Sequence, residues 1–258
     1  VHPEDLVIEP IPAFNDNYIW LLHRGGDHCV IVDPGDHEPV LDVLAARGLA
    51  PDAILLTHHH WDHADGVPGV LEQFDVPVYG PADDRLGDWC TRCHEGDTVS
   101  VESLGLSFNV FDVPAHTRSH IAFVGHGAAF TGDTLFSVGC GRLFEGTADD
   151  MQRAMDKLAT LPGETKIYCG HEYTVANCAF ALQVEPDNAA LAERAEQASE
   201  FRAQGHPTLP STIKDELRTN PFMRTREPAV VTAARRHDAG AGPGASTMAA
   251  IRAWKDRS

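Results

Sequence analysis

The chain has 258 residues, 43% hydrophobic and 22% charged, which is the composition of an ordinary globular protein built as one large domain or two smaller ones. With 38 acidic against 20 basic residues the net charge is −18, which argues against sequence-independent binding to nucleic acid or anionic membranes. No run approaches the roughly 18 apolar residues of a membrane helix, and the start, Val1-His2-Pro3-Glu4-Asp5, lacks the basic flank and apolar stretch of a signal peptide, so a cytoplasmic protein is expected.

Tyr18–Leu22 and Cys29–Val32 read as a strand pair joined by Arg24-Gly25-Gly26-Asp27, and Asp33-Pro34-Gly35 ends the second strand sharply. Glu38–Gly48 carries proline near its start, apolar residues at helical spacing and glycine at its end, the pattern of a helix. Ala53–Leu56 is the next strand, followed by Thr57-His58-His59-His60-Trp61-Asp62-His63, a helix near Val67–Phe74 and a strand at Val76–Tyr79. From Gly80 to Thr98 the pattern is irregular and holds Cys90-Thr91-Arg92-Cys93. No second C-x-x-C pair completes a four-cysteine zinc site, and six cysteines are too sparse for a disulfide framework, so reduced thiols without a metal or redox role are expected.

Further strands are expected at Val99–Leu104, Leu106–Val113, Ile121–Val124, Ala128–Thr131 and Lys166–Cys169, with a capped helix beginning at Thr147. Beyond Tyr173 the chain is alanine-rich, charged and read as strand-free, with helices at Asn188–Gln204, Ser211–Arg218 and Ser246–Lys255. The expected division is a sheet-rich domain, 1–173, and a helical C-terminal domain, 174–258.

Chemistry concentrates where apolar strands stop. One ends at the H-x-H-x-D-H run, His58, His60, Asp62 and His63, and others end at His116, Asp133 and His171. In layered α/β folds the loops beyond one strand edge form a common crevice, so such residues can converge. Imidazoles and carboxylates are preferred ligands of zinc, iron and manganese. Seven ligands are too many for one tetrahedral ion, but they suit two metals roughly 3.5 Å apart that share a carboxylate and activate a bridging water. Hydrolysis is the implied chemistry. No G-x-S-x-G elbow supports serine catalysis instead.

This pattern resembles the metallo-β-lactamase superfamily, whose α/β fold is a four-layer αββα sandwich. Within it the chain is most similar to the glyoxalase II, or hydroxyacylglutathione hydrolase, family. The likeness runs through Pro12-Ala13-Phe14-Asn15-Asp16-Asn17-Tyr18, Val32-Asp33-Pro34-Gly35, Gly132-Asp133-Thr134-Leu135-Phe136, Gly139–Ala148 and Gly170-His171-Glu172-Tyr173-Thr174. The resemblance implies one metal on His58, His60 and His116, a second on Asp62, His63 and His171, and Asp133 bridging. Asp62 would also orient a metal-bridging hydroxide, His59 would point away, and His120 would fix a neighbouring ligand rather than bind metal. The metals expected are two divalent ions, zinc first, with iron or manganese as alternatives.

The implied reaction is hydrolysis of S-D-lactoylglutathione to D-lactate and glutathione, the second step of methylglyoxal detoxification, by a chain expected to act as a monomer. Glutathione carries two carboxylates, so an acidic protein must place cations locally. The resemblance assigns this to Arg142 and to Arg252 and Lys255, which lie three apart on one face of the last helix. It places Tyr173 on the glutathione backbone. Phe144 stands where some members have tyrosine, which removes one hydroxyl contact. Pro114-Ala115-His116-Thr117-Arg118-Ser119-His120 departs from the usual Pro-Gly-His-Thr-x-Gly-His, and Ala115 and Ser119 fit only if their backbone avoids positive φ.

Two further readings remain. A persulfide dioxygenase or another hydrolase on the same fold is separated by metal count, oxygen uptake with glutathione persulfide, and β-lactam turnover. A metal-binding regulatory protein without catalysis would turn over no thioester.

Overall fold

The cluster-bearing strand, read from Ala53–Leu56, lies inside a parallel stack whose ends come level. A computed structural model gives this fold and describes residues 5–258; of the start read above, Val1 to Asp5, all but Asp5 lies outside the described residues. Backbone proximity divides the chain into two units. One runs up to Asp112 and resumes over Ser119–Gly132; the other takes Val113–Arg118 and Asp133–Ser258.

In the first unit, β1 (Val7–Ala13), β2 (Asn17–His23) and β3 (His28–Val32) are antiparallel neighbours. β1 was not anticipated, because Pro10 and Pro12 interrupt its alternation; both are tolerated on an edge strand. Helix α1 (His37–Arg47) is capped by Asp36 and closed by Gly48 at φ 64°, and leads to β4 (Ala50–Leu55), which pairs parallel with β3. Next come α2 (Trp61–Ala64) and α3 (Val67–Leu71), then β5 (Val78–Pro81) and β6 (Cys90–Cys93), both added in parallel. Val40, Leu44, Val67 and Val70 of the helices pack on Ile19, Leu21, Ile31 and Ile54 of this sheet.

A second, antiparallel set in the same unit is made of β7 (Thr98–Val101), β8 (Leu106–Asp112), β9 (Ile121–Gly125) and β10 (Ala128–Gly132). Its inward residues, Val99, Phe108, Val110, Phe123 and Phe130, are buried. β2 is buried along its whole length, as a strand covered on both faces must be.

In the second unit, β11 (Leu135–Phe136) and β12 (Gly139–Cys140) form a two-pair hairpin. Helix α4 (Ala148–Leu158) starts with the expected capping box of Thr147 and Asp150 and buries Met151, Ala154, Met155 and Leu158. β13 (Lys166–Cys169), α5 (Thr174–Val184) and α6 (Ala189–Ala203) follow. β14 (Ser211–Thr212) pairs antiparallel with β13, so the stretch beyond Tyr173 is not strand-free as expected. It leads into α7 (Ile213–Thr219), α8 (Pro228–Arg235) and α9 (Ala245–Lys255). Val138, Cys178, Ala181 and Leu191 form one core cluster, and Phe180 stacks against Phe222 and meets Trp254 edge-on.

All six cysteines are buried thiols. Burial pushes Cys29 and Cys169 up to about 12, and Cys93 and Cys178 up to about 11. Cys90 and Cys93, both buried on β6, each lie with the sulfur 3.7 Å from the Thr91 carbonyl oxygen.

Candidate metal centre

Parallel pairing of Val32 with Leu55 brings the residues after β3 and β4 level with one another. Asp33, at φ 53°, is held there by its own N–H on the Leu55 carbonyl at 2.9 Å. Its buried carboxylate accepts the Thr57 N–H at 2.8 Å and the Thr57 hydroxyl at 2.7 Å. The Thr57 oxygen lies 3.0 Å from His58 Nδ1 and, with its own proton on Asp33, accepts that N–H. His63 Nδ1 donates to Asp33 Oδ2 at 3.0 Å. Both rings are thereby fixed as Nδ1–H tautomers with the Nε2 lone pair available to a cation.

His60 stands just before α2, whose single turn carries Asp62 and His63. Asn17, 6% exposed, donates to Asp62 Oδ2 at 3.0 Å and to the Asp62 carbonyl at 3.2 Å. His58 Nε2 and His60 Nδ1 lie 3.1 Å apart, and His63 Nε2 and Asp62 Oδ2 3.5 Å. The path is tight: a Cβ on Gly35 would lie 1.8 Å from the Asp62 carbonyl oxygen. Asp33, His58 and His63 present donor atoms within 4.8 Å of one another. Asp33 is nevertheless an orienting carboxylate, since its oxygens already accept three donors.

His59 does turn elsewhere, with Nδ1 3.3 Å from Asp83 Oδ2. Arg85 grips Asp83 and holds its carboxyl well below the usual range. Ser119 donates to the same carboxylate, and its φ is not positive. The His120 ring stacks on His58, centroids 4.6 Å apart.

In the second unit, Asp133 Oδ2 lies 3.4 Å from His116 Nε2 and 3.3 Å from His171 Nε2. His116 Nδ1 donates to the Arg142 carbonyl at 3.0 Å, which again leaves Nε2 as the ligand atom. A Cβ on Gly141 would lie 1.9 Å from the Asp133 carbonyl oxygen, so glycine is required there. His171 stacks face to face on Tyr173, 4.7 Å apart and 3° from parallel. Ala115 adopts φ 147°, the region that glycine favours, so the condition for an easy fit at this position is not met.

Atoms bound to a tetrahedral first-row cation at 2.0–2.1 Å are separated by about 3.3 Å. The donor pairs above span 3.1 to 3.5 Å, so the residues fit metal binding within each unit.

The expected substrate cations differ from one another. Arg142 has a side chain 65% exposed, 3.8 Å from Asp256. Arg252 is 4% exposed, donates to the Cys140 carbonyl at 2.8 Å and to Asp256 at 2.9 Å, and lies over the Phe222 ring. Its buried Nε finds no acceptor among the described residues. Lys255 donates to Asn177 Oδ1 and sits near the Phe180 and Phe222 rings. Burial first, then the Arg252 charge, lower its pKa to about 8. Phe144, 63% exposed, lies against the His116 ring.

Sequence reasoning missed the roles of Asp33, Thr57 and Asn17. The sequence signals were that Asp33 and Thr57 both follow buried strands, that Asn17 opens one, and that Asn17 and Asp33 fall in two of the family-like segments, which assigned them no role.

Residues 14–86 and 94–171 match the family model of the metallo-beta-lactamase superfamily. The structure resembles BLEG-1 B3 metallo-beta-lactamase, with TM-score 0.62 and 23% identity over 85% of this chain and 99% of that one. It also resembles ETHE1 from Myxococcus xanthus, with TM-score 0.63 and 22% identity over 96% and 98%. The class is therefore defined by its fold, the metallo-β-lactamase fold, here with a helical C-terminal region.

Residues 172–258 match the model of the hydroxyacylglutathione hydrolase C-terminus. The hydroxyacylglutathione hydrolase of Cupriavidus taiwanensis is 49% identical over 97% of this chain and 98% of its own. That of Aliivibrio salmonicida is 49% identical over 97% and 99%. The chain belongs to the hydroxyacylglutathione hydrolase family.

Proposed function

We propose that the protein hydrolyses 2-hydroxyacyl thioesters of glutathione, S-D-lactoylglutathione above all, to the hydroxy acid and free glutathione. The observation that carries this reading is the Asp133 oxygen set at ligand-pair distance from both His116 and His171, as a carboxylate shared by two cations would be. The proposed ligand sets are His58, His60 and His116 for one divalent ion and Asp62, His63 and His171 for the other, with Asp133 common to both. Zinc is the first candidate, and iron or manganese suit the same donors. Held there, the two cations would lower the pKa of water toward neutrality and polarise the thioester carbonyl.

The protein's own groups do the rest. Asp62, turned by the Asn17 amide, orients the attacking water and accepts its proton. The water oxygen bonds to the carbonyl carbon, the carbon–sulfur bond breaks, and the departing thiolate takes up a proton. His120 steadies His58 by stacking. Tyr173, backed by His171, presents its hydroxyl to the glutathione backbone. Arg142, Lys255 and the unmatched Nε–H of Arg252 receive the carboxylates, since a buried donor without a partner is costly until a ligand supplies one.

On this reading residues 1–173 hold the metal chemistry and also supply Arg142 and Tyr173 to the substrate, while the helical domain 174–258 adds Arg252 and Lys255, in a cytoplasmic monomer. None of the described helices is long and apolar enough to cross a membrane.

The test is turnover of lactoyl, acetyl and formyl thioesters, each on glutathione and on a second cellular thiol, with metal counted in the same preparation. Two metal equivalents, preference for glutathione esters and loss of turnover in Asp62→Ala are expected. Full activity in a verified metal-free preparation would overturn the reading.

A further inference from the structure

The hairpin of β11 and β12 pairs only two residues with two, Leu135 with Cys140 and Phe136 with Gly139. So short a hairpin does not hold its own shape in water. Its turn residue Val138 takes φ 58°, a value that a β-branched residue keeps only where its surroundings impose it.

Those surroundings are side chains from three helices of the same unit. The Asn220 amide donates to the carbonyls of Phe136 at 3.2 Å and Gly139 at 3.0 Å, and to Glu216 Oε2 at 2.9 Å. The same Glu216 oxygen accepts the Val138 N–H at 2.8 Å. Asn177 donates to the Ser137 carbonyl at 3.0 Å, and Arg194 to the Ser137 hydroxyl at 3.1 Å. Glu216 and Asn220 are fully buried, and Asn177 is 2% exposed. Gly139 leaves room for this, since a Cβ there would lie 2.5 Å from the Asn177 amide.

What the hairpin carries gives the clamp its meaning. Asp133 and Thr134 lead into it, Gly141 and Arg142 lead out, and the Gly141 N–H returns to the Thr134 carbonyl at 3.2 Å. One foot therefore bears the Asp133 carboxylate, and the other bears the carbonyl that orients His116. The Cys140 carbonyl receives Arg252, and Asn177 accepts from Lys255 while donating to the turn.

We propose that Glu216 and Asn220 are positioning residues for the hydrolysis: they fix the Ser137–Val138 turn, and with it Asp133 and the Arg142 carbonyl, while Asn177 ties that turn to Lys255. The inference rests on the thioesterase reading above. Neither residue touches the reacting atoms. They act by holding a ligand-bearing segment in place, where a displacement of about 1 Å costs on the order of 100-fold in rate.

The experiment measures kcat, KM and retention of metal during dialysis against a chelator for Glu216→Ala, Asn220→Ala and Glu216→Gln. A buried-core variant in the other unit, Val110→Ala, is run beside them. Glu216→Ala and Asn220→Ala are expected to lower kcat by about 10- to 100-fold and to shed metal faster than wild type, with KM little changed. Glu216→Gln keeps the acceptor for Val138 and Asn220 and is expected to stay within about threefold of wild type. Val110→Ala, folded at the assay temperature, is expected to keep both kcat and metal.

Wild-type kcat and metal retention in a folded Glu216→Ala or Asn220→Ala would overturn the proposal, as would equal losses in Val110→Ala. If Glu216→Ala does not fold, Asn220→Ala and Glu216→Gln decide the matter on the same readouts. A wild-type protein inert toward every thioester would sink the functional reading instead, and metal retention in the variants would still test the clamp.

Discussion

The two units present their candidate ligands in opposite ways. In the first, His58, His60, Asp62 and His63 come from one short stretch, and side chains orient them: Asp33 and Thr57 behind the histidines, Asn17 on Asp62. In the second, His116, Asp133 and His171 come from separate segments, and the backbone does more of the work, through the Arg142 carbonyl and the close approach of Gly141 to Asp133. An arrangement that depends on side chains is lost by single substitutions at the orienting positions. One that depends on a carbonyl survives change in the side chain attached to it.

The contrast breaks most severely at Asp33. Asp33→Ala removes the acceptor for His63 and the anchor of Thr57, and a loss of about 100-fold in metal affinity is expected by chelator competition, with Asp33→Asn losing about tenfold. Next in size is a pH effect confined to the second unit. Lys255 is charged below about 8 and loses its charge above it. KM for a glutathione ester should therefore about double by pH 8 and approach a tenfold rise near pH 9, with kcat little affected. Lys255→Arg, which stays charged, should flatten that rise.

Arg142→Ala sharpens the comparison directly. Its carbonyl still holds His116, so metal content should equal that of wild type, while loss of the exposed cation raises KM by no more than about fivefold. The smallest effect is expected at Ala115→Gly. Relief of the positive φ at a buried site should raise stability by about 1 kcal/mol in chemical unfolding, after the entropy that glycine adds to the unfolded chain.

The same contrast explains what could be read from the residues alone. The first ligand group was legible because Ala53–Leu56 is a plain apolar run and the donors follow it without interruption. His116, Asp133 and His171 were legible as strand ends of one kind and, for their roles, through the resemblance of the segments around them. Asp33 stayed hidden because its role arises from the pairing of β3 with β4, a long-range fact that local pattern does not carry. α5 escaped notice because Thr174–Val184 is apolar on nearly all sides and shows no helical period. The β11–β12 hairpin, Leu135-Phe136-Ser137-Val138-Gly139-Cys140, is too short to show an alternation. The burial of Arg252 was not legible, because spacing reveals a helix face but not what covers it. The Cys140 carbonyl and the Phe222 ring cover it from other parts of the chain, and Asp256 meets it from four residues further on.

The buried cysteines have a practical consequence. A thiol reacts with alkylating reagents as its thiolate, and burial in β3, β6, β12, β13 and α5 withholds both the reagent and the ionised form. Each cysteine therefore becomes modified only when its own segment opens. Mass-resolved alkylation over time would convert the six thiols into clocks of local opening for five segments, spread through both units and needing no added label site.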